Sequence, residues 1–345
     1  MIIALDAMGG DKAPDINVIG ARDALQLYPQ VEKIILVGDE KILRESCQRN
    51  QLNDPRAEIR HASEIIEMHE SGAKAIRRKK DSSISIAADL VKSGEAHAMV
   101  SAGNTGAAVA AATIKLRLLK GVDRAGIASP IPNEHGTCNI LDAGANPEAK
   151  PKHLATYAVM GSVYANKVLG VNEPVVGIMS NGEEEEKGTA LTKETLALLR
   201  EMIESGHANF SFRGNVEGHD LFETRLDVCL CDGFTGNVVL KSCEATAKAM
   251  SKWLKVEFKR NPFRVLGALL SKGAFGKVKE RTNYETYGGS PLLGVRGTVI
   301  ISHGGSSSLA IRNALHMAAK AVTNEVNPHI EQALATLSPA AKNEL

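Results

Sequence analysis

Aromatic residues are scarce in this 345-residue chain, at 4% with a single tryptophan. A core for a chain of this length must therefore be aliphatic, as in sheets whose strands are buried on both faces. Net charge is nearly absent as well: 41 basic and 40 acidic residues leave +1 with histidine neutral. No global basic field points to nucleic acid, so a charged partner has to be met by a local patch. The five cysteines (Cys47, Cys138, Cys229, Cys231, Cys243) contain no C-x-x-C pair. Their odd count and scattered spacing argue against a disulfide framework and fit a reducing compartment. Cys229 and Cys231 stand two apart in a strand-like run and should share a face, either as small buried hydrophobes or as a metal or redox pair. No apolar run approaches the ~20 residues of a membrane span. The chain starts directly on Ile2-Ile3-Ala4-Leu5, without the basic region or cleavage site of a signal peptide. That reads as a first strand and predicts a cytoplasmic protein, with peripheral contact to a membrane left open. Familiar signatures are missing too. There is no Walker loop, no G-x-G-x-x-G fingerprint, no G-x-S-x-G elbow and no H-E-x-x-H or other close metal-ligand spacing. No metal and no cofactor is expected.

What the chain does have is alternation. Strand-like runs at 2–6, 33–37, 96–101 and near 125–131, 137–142, 174–180, 209–213, 226–231 and 297–302 are separated by helix-like stretches. The helices are expected from Pro14, after Gly38-Asp39, and over 105–118, 151–169, 189–204, 236–259 and 306–323. The pattern predicts an α/β fold with a mostly parallel sheet. No repeat, low-complexity tract or proline-rich linker divides the chain, so residues 1–345 read as one α/β domain. A change of composition marks 252–290 as a helical lobe within it.

Five turns of glycine and small polar residues punctuate the chain, four of them clearly after a strand-like run. They are Asp6–Asp11 (with Gly9 and Gly10), Ser101–Gly106, Asp142–Asn146, Asp232–Asn237 and Ser302–Ser306. In an open parallel sheet, loops at the carboxyl ends of strands line one crevice, and ligands bind there. Glycine lets backbone approach a ligand, and helix-start N–H groups favour an anion. The five loops together predict one polar site for a phosphate-bearing molecule. Candidate binding residues are Asp6, Gly9, Gly10, Asp11, Lys12, Gly103, Thr105, Gly106, Asp142, Gly144, Asp232, Gly233, Thr235 and Gly236. Asn104, Asn146, Asn237 and His303 are the candidates for the chemistry, because neutral amides and an imidazole can donate to an oxyanion. Each aspartate either orients a ligand or orders its own loop. His303 either handles a proton or fixes its turn. Serines 306 to 308 are expected to cap the following helix. The run Asn181–Gly188, with four consecutive glutamates, is either a solvated loop or a cover over the site.

These motifs, taken in order, resemble the PlsX-type phosphate acyltransferases (acyl-carrier-protein:phosphate acyltransferases). The likeness spans nearly the whole chain. It rests on Ala4–Asp11, Ser101–Ala107, Asp142 with Gly144-Ala145-Asn146, and Met160–Val163. It continues through Gly182-Glu183-Glu184 with Lys187-Gly188, Gly214–Glu217, Asp232–Val238 and Tyr287–Gly289 to the His303-Gly304 loop. Ala125 stands where the family tends to have proline, Ala143 where a branched residue is usual, and Gly305 widens the histidine loop.

The resemblance implies a three-layer α/β/α fold like that of isocitrate and isopropylmalate dehydrogenases, shared with phosphotransacetylases, and a homodimer. It implies transfer of a fatty acyl group from acyl carrier protein to inorganic phosphate. The acyl phosphate would then serve a membrane glycerol-3-phosphate acyltransferase in phospholipid synthesis. Phosphate is itself a nucleophile, so direct attack on the thioester needs only positioning and oxyanion stabilisation. An acidic carrier protein calls for a basic docking patch, either Arg77-Arg78-Lys79-Lys80 or the stretch 252–281. That stretch holds nine basic residues, Arg260 and Arg264 among them, against two acidic ones. Phe263, Leu266 and Leu270 share a helical face there, which suits an anionic membrane surface or a second subunit. The rival readings are a coenzyme-A-dependent phosphotransacetylase, a nicotinamide dehydrogenase of related fold, and a non-catalytic scaffold that brings carrier protein to the membrane.

Overall fold

Strands that carry aliphatic side chains on both faces belong inside a sheet covered from both sides. The computed structural model, which describes residues 1–206, 208–282 and 284–337, arranges them so. The strands are β1 (Ile2–Asp6), β2 (Lys33–Gly38), β3 (Ala57–His61), β4 (Ala98–Ser101), β5 (Gly126–Asn133), β6 (Gly136–Leu141), β7 (Val175–Met179), β8 (Ser211–Val216), β9 (Val228–Leu230), β10 (Ser290–Leu293) and β11 (Thr298–Ile301). The helices are α1 (Asp15–Leu27), α2 (Glu40–Arg49), α3 (Gly72–Arg78), α4 (Ser83–Ser93), α5 (Thr105–Ala111), α6 (Pro151–Tyr164), α7 (Ala190–Glu204), α8 (Asp220–Glu223), α9 (Gly233–Phe258), α10 (Pro262–Leu270), α11 (Lys272–Thr282), α12 (Ser308–Thr323) and α13 (Val326–Thr336).

All the strands form one sheet in the order β3-β2-β1-β4-β11-β10-β5-β6-β9-β7-β8. The first five of these run parallel to one another, and so do the last four. Between the two sets, β10 is antiparallel to β11 and to β5, and β5 is antiparallel to β6. Three reversals in succession turn the second parallel set against the first. The expected mostly parallel α/β architecture is therefore present, but its two halves point in opposite directions.

Period-two alternation divides the aliphatic residues between the faces. Ile3 and Leu5 belong to the core under α1, α2 and α12, and Ala4 to the core on the other side. In the second half, Leu141, Val228 and Leu230 face α6, α7 and α13. Ile140, Cys138, Cys229 and Cys231 face α9, in a core that also takes in α3, α4 and α5 and runs beneath both halves. Cys229 and Cys231 do share a face. Both are free and buried, and burial pushes both thiols well up, away from the reactive thiolate.

The region 252–290 holds the end of α9, then α10 and α11. It includes Asn283, which lies outside the described residues. No residue of α10 is buried. Phe258 meets Phe275 edge-on at 5.1 Å, joining α9 to α11, and Arg281 donates to the Asn133 carbonyl at 3.2 Å, tying α11 back to β5. The start of α12 departs from the sequence expectation. Ser307 occupies the cap position without a side-chain cap bond, and its N–H donates to Glu285 Oε1 at 3.3 Å.

Candidate active site

The five glycine loops contact one another in two groups, one on each half of the sheet. Asp6–Asp11, Ser101–Gly106 and Ser302–Ser306, after β1, β4 and β11, make the first. A side chain at Gly9 would lie 2.7 Å from the Gly103 nitrogen and 2.6 Å from Asp6 Oδ2. Ser101 Oγ donates to Asp6 Oδ2 at 2.7 Å, and Asp11 N donates to the Gly304 carbonyl at 2.9 Å. Asp6 is buried, and burial pushes its carboxyl above the usual range.

Asn104 caps α5. Its Oδ1 accepts from Ala107 N at 2.9 Å, and its Nδ2 faces the carbonyls of Glu67, Met68 and Glu70 at 3.1, 3.1 and 2.8 Å. Both ends of the amide thus bind the 67–70 turn to α5. The Gly72 backbone also closes on Gly106 and Ala107, while Thr105 and Gly106 stay exposed. His303 accepts from Gly305 N at Nδ1, 3.1 Å away, and its Nε2 lies 3.8 Å from Glu244 Oε2 on α9. Burial, and then Lys241, push the imidazole below its ordinary value, so it is neutral near pH 7 and carries its proton on Nε2. Lys12 is exposed. Arg77 and Arg78 end α3, where Arg78 pairs with Glu70 at 3.0 Å.

The second group is built on Asp142, which is fully buried. Its Oδ1 accepts from the N–H groups of Ile127, Gly144 and Ala145 at 2.9, 3.0 and 2.9 Å, and its Oδ2 from Asn146 at 2.6 Å. Burial pushes the carboxyl up while these donors oppose it. Gly233 N donates to the Asn146 carbonyl at 3.0 Å, and a Cβ at Gly236 would collide with the Asp142 carbonyl oxygen. The start of α9 therefore lies directly on the Asp142–Asn146 turn. Asp232 caps this helix, accepting from Thr235 N at 2.9 Å and Thr235 Oγ1 at 2.7 Å. Asn146 Nδ2 meets His153 Nδ1 at 3.4 Å, and Asn237 is exposed beside Gly144.

Between the carboxyl ends of β7 and β9 and the amino ends of α7 and α9 lies a cavity of ≈ 380 Å³, lined by Ser180, Asn181, Gly188, Thr189, Asp232 and Thr235 among others. Two helices of 15 and 26 residues start at its wall. The first amides of a helix lack intrahelical partners and carry the positive end of its dipole, so the cavity favours an anion. The glutamate run beside it is held at several points. Gly188 N donates to Asn181 Oδ1 at 2.9 Å, Asn215 Nδ2 donates to the Glu184 carbonyl at 2.8 Å, and Glu185 pairs with Arg200. The loop is anchored against the site rather than free in solvent, although its four carboxylates face water.

The sequence reading reached the Asp232–Asn237 side of this cavity and left out Ser180, Thr189 and Thr192. Two signals pointed to them: Ser180 directly follows a strand, and Thr189 precedes a helical run, where a cap belongs. A close metal-ligand spacing is likewise absent along the chain, yet Glu183, His219 and Asp220 come together within 4.8 Å in space. Asp220 already accepts from Glu217 N at 2.9 Å and faces Arg213 at 3.5 Å, so a cation is in place there.

A family described as "Fatty acid synthesis protein" matches residues 1–329. Among curated proteins, the phosphate acyltransferase of Akkermansia muciniphila is 61% identical over 337 residues, 98% of this chain and 97% of the relative. That of Geobacter sulfurreducens is 45% identical over 336 residues, 97% and 95% of the two. Among solved structures, a phosphotransacetylase from Streptococcus pyogenes has a TM-score of 0.62 at 16% identity, covering 94% of each chain. The EutD phosphotransacetylase from Staphylococcus aureus has a TM-score of 0.60 at 17% identity, covering 93% of this chain and 94% of that one. At such identities the two structures share the fold.

Proposed function

We propose, from the premise that this chain belongs to the fatty acid synthesis protein family and is a phosphate acyltransferase, that it transfers a fatty acyl group from acyl carrier protein to inorganic phosphate. The observation that carries the reading is the convergence of two helix starts on one cavity whose apolar wall carries Ser180, Asn181, Thr189, Asp232 and Thr235. Hydrogen phosphate bound there attacks the thioester carbonyl. A C–O bond forms and the C–S bond breaks. The phosphate proton passes to the departing sulfur, giving acyl phosphate and the free carrier thiol. Asn237, exposed beside Gly144, donates its side-chain amide to the tetrahedral oxyanion in this reading. In this reading His303 and the first loop group serve the same reaction from the other half of the sheet, reached through Glu244 of α9. The acyl phosphate then passes to a membrane glycerol-3-phosphate acyltransferase for phospholipid synthesis.

The test is trapping with hydroxylamine. Long-chain acyl carrier protein and phosphate are expected to give acyl hydroxamate at a phosphate-dependent rate above that of the thioester alone. Product from acetyl-coenzyme A and none from the carrier substrate would replace this reading with a phosphotransacetylase.

The exposed end of α9 and α10 support a second element of the proposal, peripheral contact with a membrane. No helix among the described residues is long and apolar enough to cross one. Phe263 and Leu270 on α10 are 86% and 82% exposed, with Leu266 and Leu269 beside them and Arg260 and Arg264 nearby. On α9, Trp253 is 65% exposed, with Met250 and Leu254 next to it. We assign the α9 stripe to a second copy in a homodimer and the α10 tip to an anionic bilayer. A Leu266→Glu, Leu270→Glu variant is expected to lose flotation with anionic liposomes while keeping its turnover of soluble substrate. Equal flotation of the variant and the parent protein would rule out the bilayer contact.

A further inference from the structure

We propose that the Ser180 hydroxyl is a phosphate-binding donor at the floor of the cavity, an inference that rests on the acyl-transfer reading of that site. Ser180 follows β7, and its backbone is set by the hydrogen bond from its N–H to the Val216 carbonyl at 2.8 Å. Ser180 is one of the residues that line the cavity. The other polar side chains of the wall are engaged in local structure. Thr235 donates to Asp232 at 2.7 Å, Asn181 Oδ1 accepts from Gly188 N at 2.9 Å, and Thr189 Oγ1 meets Thr192 Oγ1 at 3.2 Å. Ser180 Oγ is different: it is buried and has no hydrogen-bond partner. A buried hydroxyl left without a partner is costly, and an anion in the adjoining cavity would supply the missing acceptor.

Its position is specific. A Cβ built on Gly188, immediately before the α7 cap, would stand 3.1 Å from Ser180 Oγ and 2.8 Å from Thr192 Cβ. The hydroxyl therefore sits beside the start of α7, where an anion held by the first helical amides would lie. Gly188 has φ +91, and a side chain there would collide with Thr192 and crowd the hydroxyl. Asp232 also lines the cavity, with its carboxylate already accepting from Thr235 N and Thr235 Oγ1. A carboxylate has acceptor capacity beyond two hydrogen bonds, and the remaining O–H of hydrogen phosphate can donate to it. Donors from the amides and Ser180, with an acceptor from Asp232, suit a protonated tetrahedral oxyanion.

The test uses the full-length protein with Ser180→Ala. The hydroxyl binds phosphate before and during the reaction, so its loss weakens phosphate binding and leaves the chemical step nearly unchanged. The KM for phosphate is expected to rise about 10- to 100-fold, the range for losing one hydrogen bond to a charged group. The KM for acyl carrier protein and kcat at saturating phosphate should stay near the parent values. In parallel, inorganic phosphate alone should raise the unfolding temperature of the parent protein more than that of Ser180→Ala. An unchanged phosphate KM together with an equal phosphate-induced shift would overturn the assignment. The two readings fail separately. A Ser180-dependent thermal shift in a protein that makes no acyl phosphate would leave the anion site standing and remove the acyl-transfer reading.

Discussion

Replacing Gly236 with alanine is expected to lower acyl phosphate formation by about a hundredfold or more, the scale of a roughly 1 Å displacement of catalytic groups. The added methyl meets the carbonyl oxygen of Asp142 and comes within 2.9 Å of Cys231 Sγ. Neither neighbour yields easily. Asp142 N donates to the Cys231 carbonyl and Cys231 N to the Leu141 carbonyl, each at 3.0 Å, so both belong to the β6–β9 ladder. The helix has to move instead. Lifting the start of α9 shifts Asp232, Thr235 and Asn237 together, and with them the wall of the cavity and the donor beside Gly144. Overpacking of this kind costs about 1–3 kcal/mol of stability, which a large α/β core tolerates. Circular dichroism should therefore report a folded variant whose steady-state rate has collapsed. Turnover close to that of the parent protein would mean that the start of α9 takes no part in the reaction.

Loss of the Asp142 carboxylate should act on stability first. Four backbone N–H groups converge on it, and its side of the turn is closed by α9. In Asp142→Ala these donors lose their acceptor inside the protein. One unsatisfied buried donor costs about 1–3 kcal/mol, and relaxation of the turn prevents simple addition. A loss of at least about 3 kcal/mol in urea unfolding is the expected result. Asp142→Asn keeps one oxygen for Ile127, Gly144 and Ala145 and loses the bond from Asn146, so it should fall between the parent and the alanine variant. If Asp142→Ala unfolded at the parent urea concentration, the carboxylate could not be the organiser of this turn. The sequence reading left two roles open for each loop aspartate, and the structure shows loop ordering at Asp142, which faces its own backbone.

Much of the fold was legible because two periodicities are strong in this chain. The runs at 2–6, 33–37 and 137–142 match β1, β2 and β6 within a residue or so, and 189–204 matches α7. Two strands were missed for physical reasons. Ala57–His61 at the sheet edge is only half-covered and reads Ala-Glu-Ile-Arg-His, without an aliphatic run. Ser290–Leu293 is four residues long and contains Pro291. The second omission mattered most, since β10 carries two of the three reversals that turn the halves of the sheet against each other.

Local chemistry determined by itself which segments would be strands, which turns needed glycine, and that polar loops would follow the strands. Those properties depend on side-chain shape and on backbone N–H groups within a few residues. Only the tertiary structure decided which loops meet. Three antiparallel pairings in the middle of the sheet set the direction of its second parallel half. Asp142–Asn146 is thereby packed under α9 and Ser180 lies beside the start of α7, while Asp6, Asn104 and Gly304 gather on the other half. Contacts of that range depend on the path of the whole chain, which no window of residues contains.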